Sequence, residues 1–271
     1  MAGVESIPGP SSTGFHAAIC EPRERPRSNL GRTVYLDLRA SAKMTSMDSL
    51  QQRRTKHMSS LDFTAALNKR ISEEYVRCRY GLGWRLLYSP VGVLGGARVA
   101  FIGLNPGGRA KSVGQAEFSM ESGSAYTDEV WGNFVAGEHR LQKEVKELFH
   151  LLGEHPKNVL AGNLVPFRSP SWGALASKDD AVAFGCELWC DIIERAKPDI
   201  VITMGGVVNE AIWNLFNVTL VEKVPLNWGR VTARLGVSAR RSFIALPHLS
   251  RFPVITRIQS RATIMRLLND A

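Results

Sequence analysis

Mainly apolar runs alternate with amphipathic stretches from about residue 58 to the end of the chain. Such runs predict strands that are buried on both faces, as in a parallel sheet, and they lie at 99–102, 158–164, 199–204 and 242–246. Apolar residues at helical spacing predict helices at about 59–78, 138–152, 179–196, 206–216 and 256–268. The alternation predicts an α/β fold, a three-layer α/β/α sandwich around a central, mostly parallel sheet of four strands.

Residues 1–57 differ in composition from the rest of the chain, being rich in Pro, Ser, Gly and Arg. Such a segment buries too little apolar surface to offset the entropy lost on ordering. We therefore predict a disordered, basic extension at 1–57 and one folded domain at 58–271. Inside the domain, the long polar stretch 109–137 follows the first predicted strand directly, which favours a functional loop.

Three polar side chains stand at or just beyond the predicted ends of three strands. Asn105 follows the first strand in the sequence GLNPG, Asn163 ends the second, and His248 follows the last. Pro and Gly after Asn105 cannot continue a central strand. Because ligands of open α/β sheets bind at the carboxyl ends of the strands, we expect these side chains to share one site.

Two amides and an imidazole suit a neutral polar ligand better than a metal ion. An amide can match the edge of a nucleobase, and an imidazole can donate to an oxygen that gains charge. The sequence contains no P-loop, no nucleophile elbow, and no dinucleotide fingerprint at 103–108. No lysine stands at a strand end, so nothing indicates covalent catalysis by an amine.

The formal net charge of +9 and the pI of about 9.6 favour a polyanionic partner, nucleic acid before membrane. Together with spaced aromatics, these features predict a pocket for a flipped base. The four cysteines are dispersed, so we expect no metal, iron–sulfur cluster or other cofactor. No apolar run approaches the roughly 20 residues of a membrane span, and the start of the chain lacks a signal-peptide pattern, so we expect a cytoplasmic protein without a membrane partner.

The sequence Gly103-Leu104-Asn105-Pro106-Gly107 resembles the first motif of the uracil-DNA glycosylase superfamily, in its mismatch-specific and single-strand-selective monofunctional branches. Asn163-Leu164-Val165-Pro166 is similar to the turn with which the single-strand-selective branch reads uracil, and Pro247-His248-Leu249-Ser250 resembles the second motif, His-Pro-Ser-Pro. The resemblance implies a monomeric, monofunctional repair enzyme that hydrolyses the N-glycosidic bond of uracil in single- or double-stranded DNA. Other damaged bases are further candidate substrates.

The resemblance also implies roles for individual residues. Asn105 would orient the attacking water, His248 would donate to the departing base, and Asn163 would select the base edge. Phe118 or Tyr126 would stack on the base, and the sequence does not choose between them. The remaining base contacts would be Gly103, Pro106 and Gly107, and the DNA contacts Gly108, Arg109, Ser169, Ser250, Arg251 and Phe252.

Leu249 replaces the proline that the family has after its histidine, which leaves open whether Arg251 or Phe252 enters the DNA. Two other functions fit the same residues. A non-catalytic lesion-binding module of this fold would bind DNA in a salt-dependent way without releasing a base. A small-molecule α/β hydrolase that uses His248 would have no affinity for DNA. The positive charge and the paired amides favour the glycosylase.

Overall fold

A six-stranded sheet forms the centre of the computed structural model, which describes residues 59–109 and 118–271. The strands are β1 (Val99–Gly103), β2 (Leu160–Asn163), β3 (Ile200–Met204), β4 (Thr219–Pro225), β5 (Thr232–Ser238) and β6 (Arg241–Leu246). Their order is β2-β1-β3-β6-β5-β4, with parallel pairing from β2 to β6 and antiparallel pairing of β5 with both β6 and β4. The extension predicted at 1–57 lies outside the described residues.

The four predicted parallel strands are all present. The prediction of a four-stranded sheet was wrong, because β4 and β5 extend the sheet to six strands. Strand β4 is the sheet edge, and most of its residues are exposed. Strand β5 alternates between buried and more exposed positions. Because strands that face solvent need no continuous apolar run, these two lack the pattern that marks the central strands.

The described helices are α1 (Ser60–Arg77), α2 (Ala125–Asp128), α3 (Arg140–Leu151), α4 (Lys178–Ala196), α5 (Gly206–Leu215) and α6 (Ile258–Asn269). Short 3-10 turns occur at Val91–Gly95, Pro156–Asn158 and Trp172–Ala174. All five helices predicted from apolar periodicity are present, and α2 adds a single turn inside the long polar segment. Within the described ranges, no helix is long and apolar enough to cross a membrane.

Side chains of the central strands alternate between two cores, one on each face of the sheet. Ala100 and Ile102 of β1 join the core formed with α1, α4 and α5. Val99 and Phe101 join the opposite core, formed with α3 and α6. This alternation follows from the two-residue repeat of a strand. It confirms the predicted three-layer α/β/α sandwich and explains why the central strands are mainly apolar.

Helix α4 approaches the end of β2 so closely that position 185 has no room for a side chain. A Cβ at Gly185 would lie 2.2 Å from the carbonyl oxygen of Leu164. We expect Gly185→Ala to lower the free energy of unfolding by about 2–3 kcal/mol, because the backbone after Asn163 must shift. Denaturant unfolding measures this loss. The control is Gly92→Ala, whose Cβ meets nothing within 4 Å, and equal midpoints for the two variants would contradict the prediction.

Candidate functional site

A cavity of about 740 Å³ lies at the carboxyl ends of the parallel strands. Asn105, Asn163 and His248 all line it, although they come from three different strand ends. The register explains the convergence, since Gly103 of β1 lies beside Asn163 of β2, and Met204 of β3 lies beside Leu246 of β6. Parallel pairing therefore brings together side chains that are far apart in the sequence.

The amide of Asn105 is held in one orientation by acceptors. Its Nδ2 donates to the Ser169 Oγ at 2.9 Å and to the carbonyl oxygens of Pro106 and Phe167 at 3.2 and 3.4 Å. Carbonyl oxygens only accept, so the amide must present its NH₂ group to them. Its Oδ1 accepts no hydrogen bond that the structure describes within 59–109 and 118–271. That oxygen is left to accept from a ligand or a water.

Two residues assigned to ligand contact support Asn105 instead. Ser169 is 3 % exposed, and its Oγ also donates to the Ser171 carbonyl at 2.8 Å. Pro106 is buried, and its carbonyl additionally accepts the Ser169 N–H at 3.2 Å. Neither residue is among those lining the cavity. The predicted DNA contact through Ser169 and base contact through Pro106 are corrected accordingly, because burial commits both to positioning Asn105.

Asn163 is fixed by its backbone and carries an unpaired donor. Its N–H donates to the Leu86 carbonyl at 3.0 Å, and its carbonyl accepts from Trp189 Nε1 at 2.8 Å. Its Nδ2 is buried and makes no hydrogen bond of ordinary length in the described part of the chain, with the Tyr88 hydroxyl as a neighbouring polar group. A Cβ at Gly103 would lie 3.3 Å from the Asn163 Oδ1, so the absence of a side chain at position 103 leaves space for the Asn163 amide. A buried donor without an acceptor costs about 1–3 kcal/mol, which a ligand oxygen would recover.

His248 begins the turn after β6, where its half-buried ring contacts Ser250. The His248 Nδ1 and the Ser250 Oγ are 2.8 Å apart. Burial lowers the pKa of His248 below its ordinary value, so the ring is neutral at neutral pH. With Nδ1 engaged by Ser250, Nε2 is the ring nitrogen left for a ligand. Ser250, predicted to contact DNA, therefore positions His248 and also lines the cavity.

The rest of this turn shows why it departs from the family motif. Leu249 is fully buried in the core beside α3 and α6. The half-buried ring of Phe252 meets Trp228 edge to face, with 6.0 Å between ring centroids. Arg251 is exposed, and its guanidinium lies 5.3 Å from the Phe252 ring centroid. Of the two residues predicted to enter the DNA, Phe252 is thus committed to packing and Arg251 is accessible.

The aromatic wall of the cavity differs from the predicted one. Phe118 packs edge to face on Trp84, 6.2 Å between centroids, and is not part of the lining. Tyr126 does line the cavity, but it is 1 % exposed, and burial raises its pKa well above the ordinary value. Trp131 and Trp172 are less buried and also face the cavity. Trp131 lies in the polar segment already predicted to be functional, whereas no pattern in the sequence marked Trp172.

A buried ion pair in the cavity wall was not expected from the sequence. Arg85 is 1 % exposed, and its Nη1 lies 2.6 Å from the Glu129 Oε1. The other Glu129 oxygen accepts from Trp131 Nε1 at 3.0 Å, and the Arg85 guanidinium stands 4.8 Å from the Tyr88 ring centroid. All four residues line the cavity. The signal available in the sequence was an arginine inside the apolar run 84–88, where an arginine is rare unless it is paired.

A family model, the uracil-DNA glycosylase superfamily, matches residues 90–269. The chain belongs to that superfamily. The matched range contains Asn105, Asn163 and His248. The superfamily domain indicates a DNA glycosylase, a hydrolase of base excision repair whose partner is DNA. A search of curated proteins found no match to the chain.

The rim of the glycosylase cavity carries positive charge beside exposed glycines. Gly107 and Gly108 line it together with Arg168, which donates to the Gly107 carbonyl. Gly108 has φ of +131°, and a Cβ there would lie 3.2 Å from the Arg168 Nη1. Arg109 follows and is exposed. Small residues beside arginines let a phosphate backbone approach closely, which is the surface a DNA glycosylase needs.

Proposed function

We propose that this glycosylase releases uracil from DNA by a monofunctional mechanism in which water is the nucleophile. The observation that carries the proposal is the cavity that Asn105, Asn163 and His248 line together. Their hydrogen bonds leave three groups for a ligand, namely the Asn105 Oδ1, the Asn163 Nδ2 and the His248 Nε2. The Asn105 acceptor suits a water, and the Asn163 donor suits a carbonyl oxygen of the base. The neutral imidazole of His248 suits a base that departs as an anion.

Recognition of the base would rest on Asn163. A flipped uracil presents an imide edge, on which one N–H lies between two carbonyl oxygens. The Asn163 amide offers both a donor and an acceptor to that edge, and a uracil carbonyl would supply the acceptor that its Nδ2 lacks. Trp131, whose indole N–H is held by Glu129, is the aromatic ring that we assign to stacking on the base.

In the chemical step, the N-glycosidic bond breaks and its electron pair leaves with the base. The sugar develops oxocarbenium character, and a water held by the Asn105 Oδ1 adds to its anomeric carbon. The amide orients this water without taking its proton, which passes to solvent. The His248 Nε2 donates a hydrogen bond to the carbonyl oxygen of the departing base, where negative charge accumulates. The uracil anion takes up a proton from solvent, and the products are free uracil and an abasic site.

The rate of base release is expected to fall as the pH drops below 6.5. Burial holds the pKa of His248 below the ordinary histidine value of 6.5. The imidazole is therefore neutral at pH 6.5 and gains a proton only at lower pH. With Nε2 as the proposed donor to the base, Nδ1 accepts from the Ser250 hydroxyl, and a protonated Nδ1 would lose that hydrogen bond and with it the fixed position of the ring. Single-turnover rates across pH test this, with His248→Gln as the non-titrating control. A rate that rises on acidification would contradict it.

The proposed function is tested by incubating the purified protein with oligonucleotides that contain U·G, U·A or single-stranded uracil. We expect alkali-labile abasic product from at least one of them, together with free uracil. No release from any of the three would overturn the uracil proposal. Salt-dependent binding without release would instead identify the lesion-binding module.

A further inference from the structure

The loop 129–137 exposes three apolar side chains at the mouth of the cavity. Val130 is 60 %, Phe134 50 % and Val135 74 % exposed. Val130 also lines the cavity with its neighbours Trp131 and Gly132. Single exposed apolar residues need no explanation, but several on one short loop beside a binding site mark an interaction surface. We call residues 130–135 the apolar tip.

The base of this loop is fixed, so the apolar tip is held in place. The Glu129 carbonyl accepts from the Gly137 N–H at 3.2 Å and from Gln142 Nε2 at 2.8 Å, which closes the loop. The Glu129 carboxylate is held by Arg85. Gly137 has φ of +73°, and a Cβ there would lie 2.8 Å from the Thr127 carbonyl, so the close return requires glycine. Anchoring of this kind lowers the entropy lost when the tip binds a partner.

Arginines beside the apolar tip indicate which partner it meets. Arg140 is the first residue of α3 and is exposed, and its Nη2 lies 3.5 Å from the Arg251 carbonyl. The loop therefore stands next to the turn that carries the exposed Arg251. The acidic Glu138, which lies between this loop and Arg140 in the sequence, is paired with Lys143 at 2.9 Å. Apolar side chains flanked by arginines match a DNA duplex, which has phosphates outside and stacked bases inside.

We propose that the apolar tip inserts into the base stack next to the flipped nucleotide, with Phe134 and Val135 as the inserting side chains. This deepens the proposed function and rests on it. In the turn after β6, Leu249 is fully buried and the half-buried ring of Phe252 packs on Trp228, whereas Phe134 meets the His139 ring edge to face and keeps half of its surface exposed. Apolar wedges unstack a base step and so stabilise the opened duplex. A single strand needs no such opening, which makes the tip a determinant of activity on duplex DNA.

The test compares the double variant Phe134→Ala/Val135→Ala with the control Leu220→Ala/Val221→Ala. The control removes apolar side chains that are 53 % and 59 % exposed on the edge strand β4. We expect the tip variant to lose about tenfold or more in kcat/KM on duplex U·A and less than about twofold on single-stranded uracil. The control is expected to change neither. Phe134→Leu/Val135→Ile keeps apolar bulk at the tip and is expected to retain duplex activity.

A second readout does not depend on base release. With 2-aminopurine beside the uracil, binding of the wild-type protein is expected to raise fluorescence as the step unstacks, and the alanine tip variant is expected to lose this rise. Unchanged duplex activity, or an equal loss on both substrates, overturns the inserting tip. If the wild-type protein releases no base at all, the proposed function fails, and the fluorescence alone then decides the tip.

Discussion

Replacing His248 by Ala is expected to lower the rate of uracil release about 10²–10³-fold, as is typical when one donor to a developing oxyanion is removed. The half-buried ring is neutral, and its Nδ1 is held by Ser250 at 2.8 Å, so it meets the base in a fixed position. Charge appears on the base carbonyl only as the bond breaks. DNA affinity should therefore change by less than about twofold while the chemical step slows.

Single-turnover release and fluorescence anisotropy on the same single-stranded oligonucleotide separate these two effects. The matched control is Ser250→Ala, which keeps the imidazole and removes one hydrogen bond that orients it. A loss of about fivefold is expected there, which corresponds to about 1 kcal/mol. Equal losses of affinity and rate in His248→Ala would make His248 a binding residue rather than a catalytic one.

Asn105→Ala is expected to give the second large effect, a loss of about 10²-fold in the rate of release, because the attacking water loses its fixed acceptor. Three acceptors orient this amide through its Nδ2 and leave its Oδ1 for the water. The loss should fall on the single-turnover rate, since Asn105 makes its proposed contact with the nucleophile and not with the base.

Ser169→Ala provides the graded control for Asn105. It removes one of the three acceptors, at 2.9 Å, and is expected to cost about fivefold. Asn105→Asp would set a carboxylate oxygen against the carbonyls of Pro106 and Phe167, which now accept from the amide. That variant is therefore expected to stay below wild-type activity at neutral pH. A larger loss in Ser169→Ala than in Asn105→Ala would contradict the assigned order of roles.

Glu129 connects three parts of this site. Its carboxylate pairs with the buried Arg85 and accepts from Trp131, and its carbonyl closes the loop that carries the apolar tip. The ring assigned to stacking and the side chains assigned to insertion thus depend on one anchored residue. The proposed base recognition inside the cavity and the proposed duplex opening at its mouth therefore share the contacts of this residue.

The sequence by itself determined the central strands and the three residues at their ends. A run such as Val99–Ile102 is apolar at every position because both faces of β1 are covered, and that pattern is local. Asn105, Asn163 and His248 could be found because the ends of parallel strands meet at one edge, whatever the details of packing. The motifs around these three residues also indicated the superfamily whose model matches residues 90–269.

Only the tertiary structure decided the edge hairpin and the walls of the cavity. Strands β4 and β5 are recognisable from the pairing of β5 with β6 and of β4 with β5, not from an apolar run. Segment 84–89 is held beside the site by long-range contacts. One of them is the hydrogen bond from the Tyr88 backbone N–H to the Ala161 carbonyl, at 2.8 Å. Whether a polar or aromatic side chain faces the ligand, supports a neighbour as Ser169 does, or packs elsewhere as Phe118 does, depends on such long-range contacts. Residue type alone does not carry that information, because burial and hydrogen-bond partners are set by the whole fold.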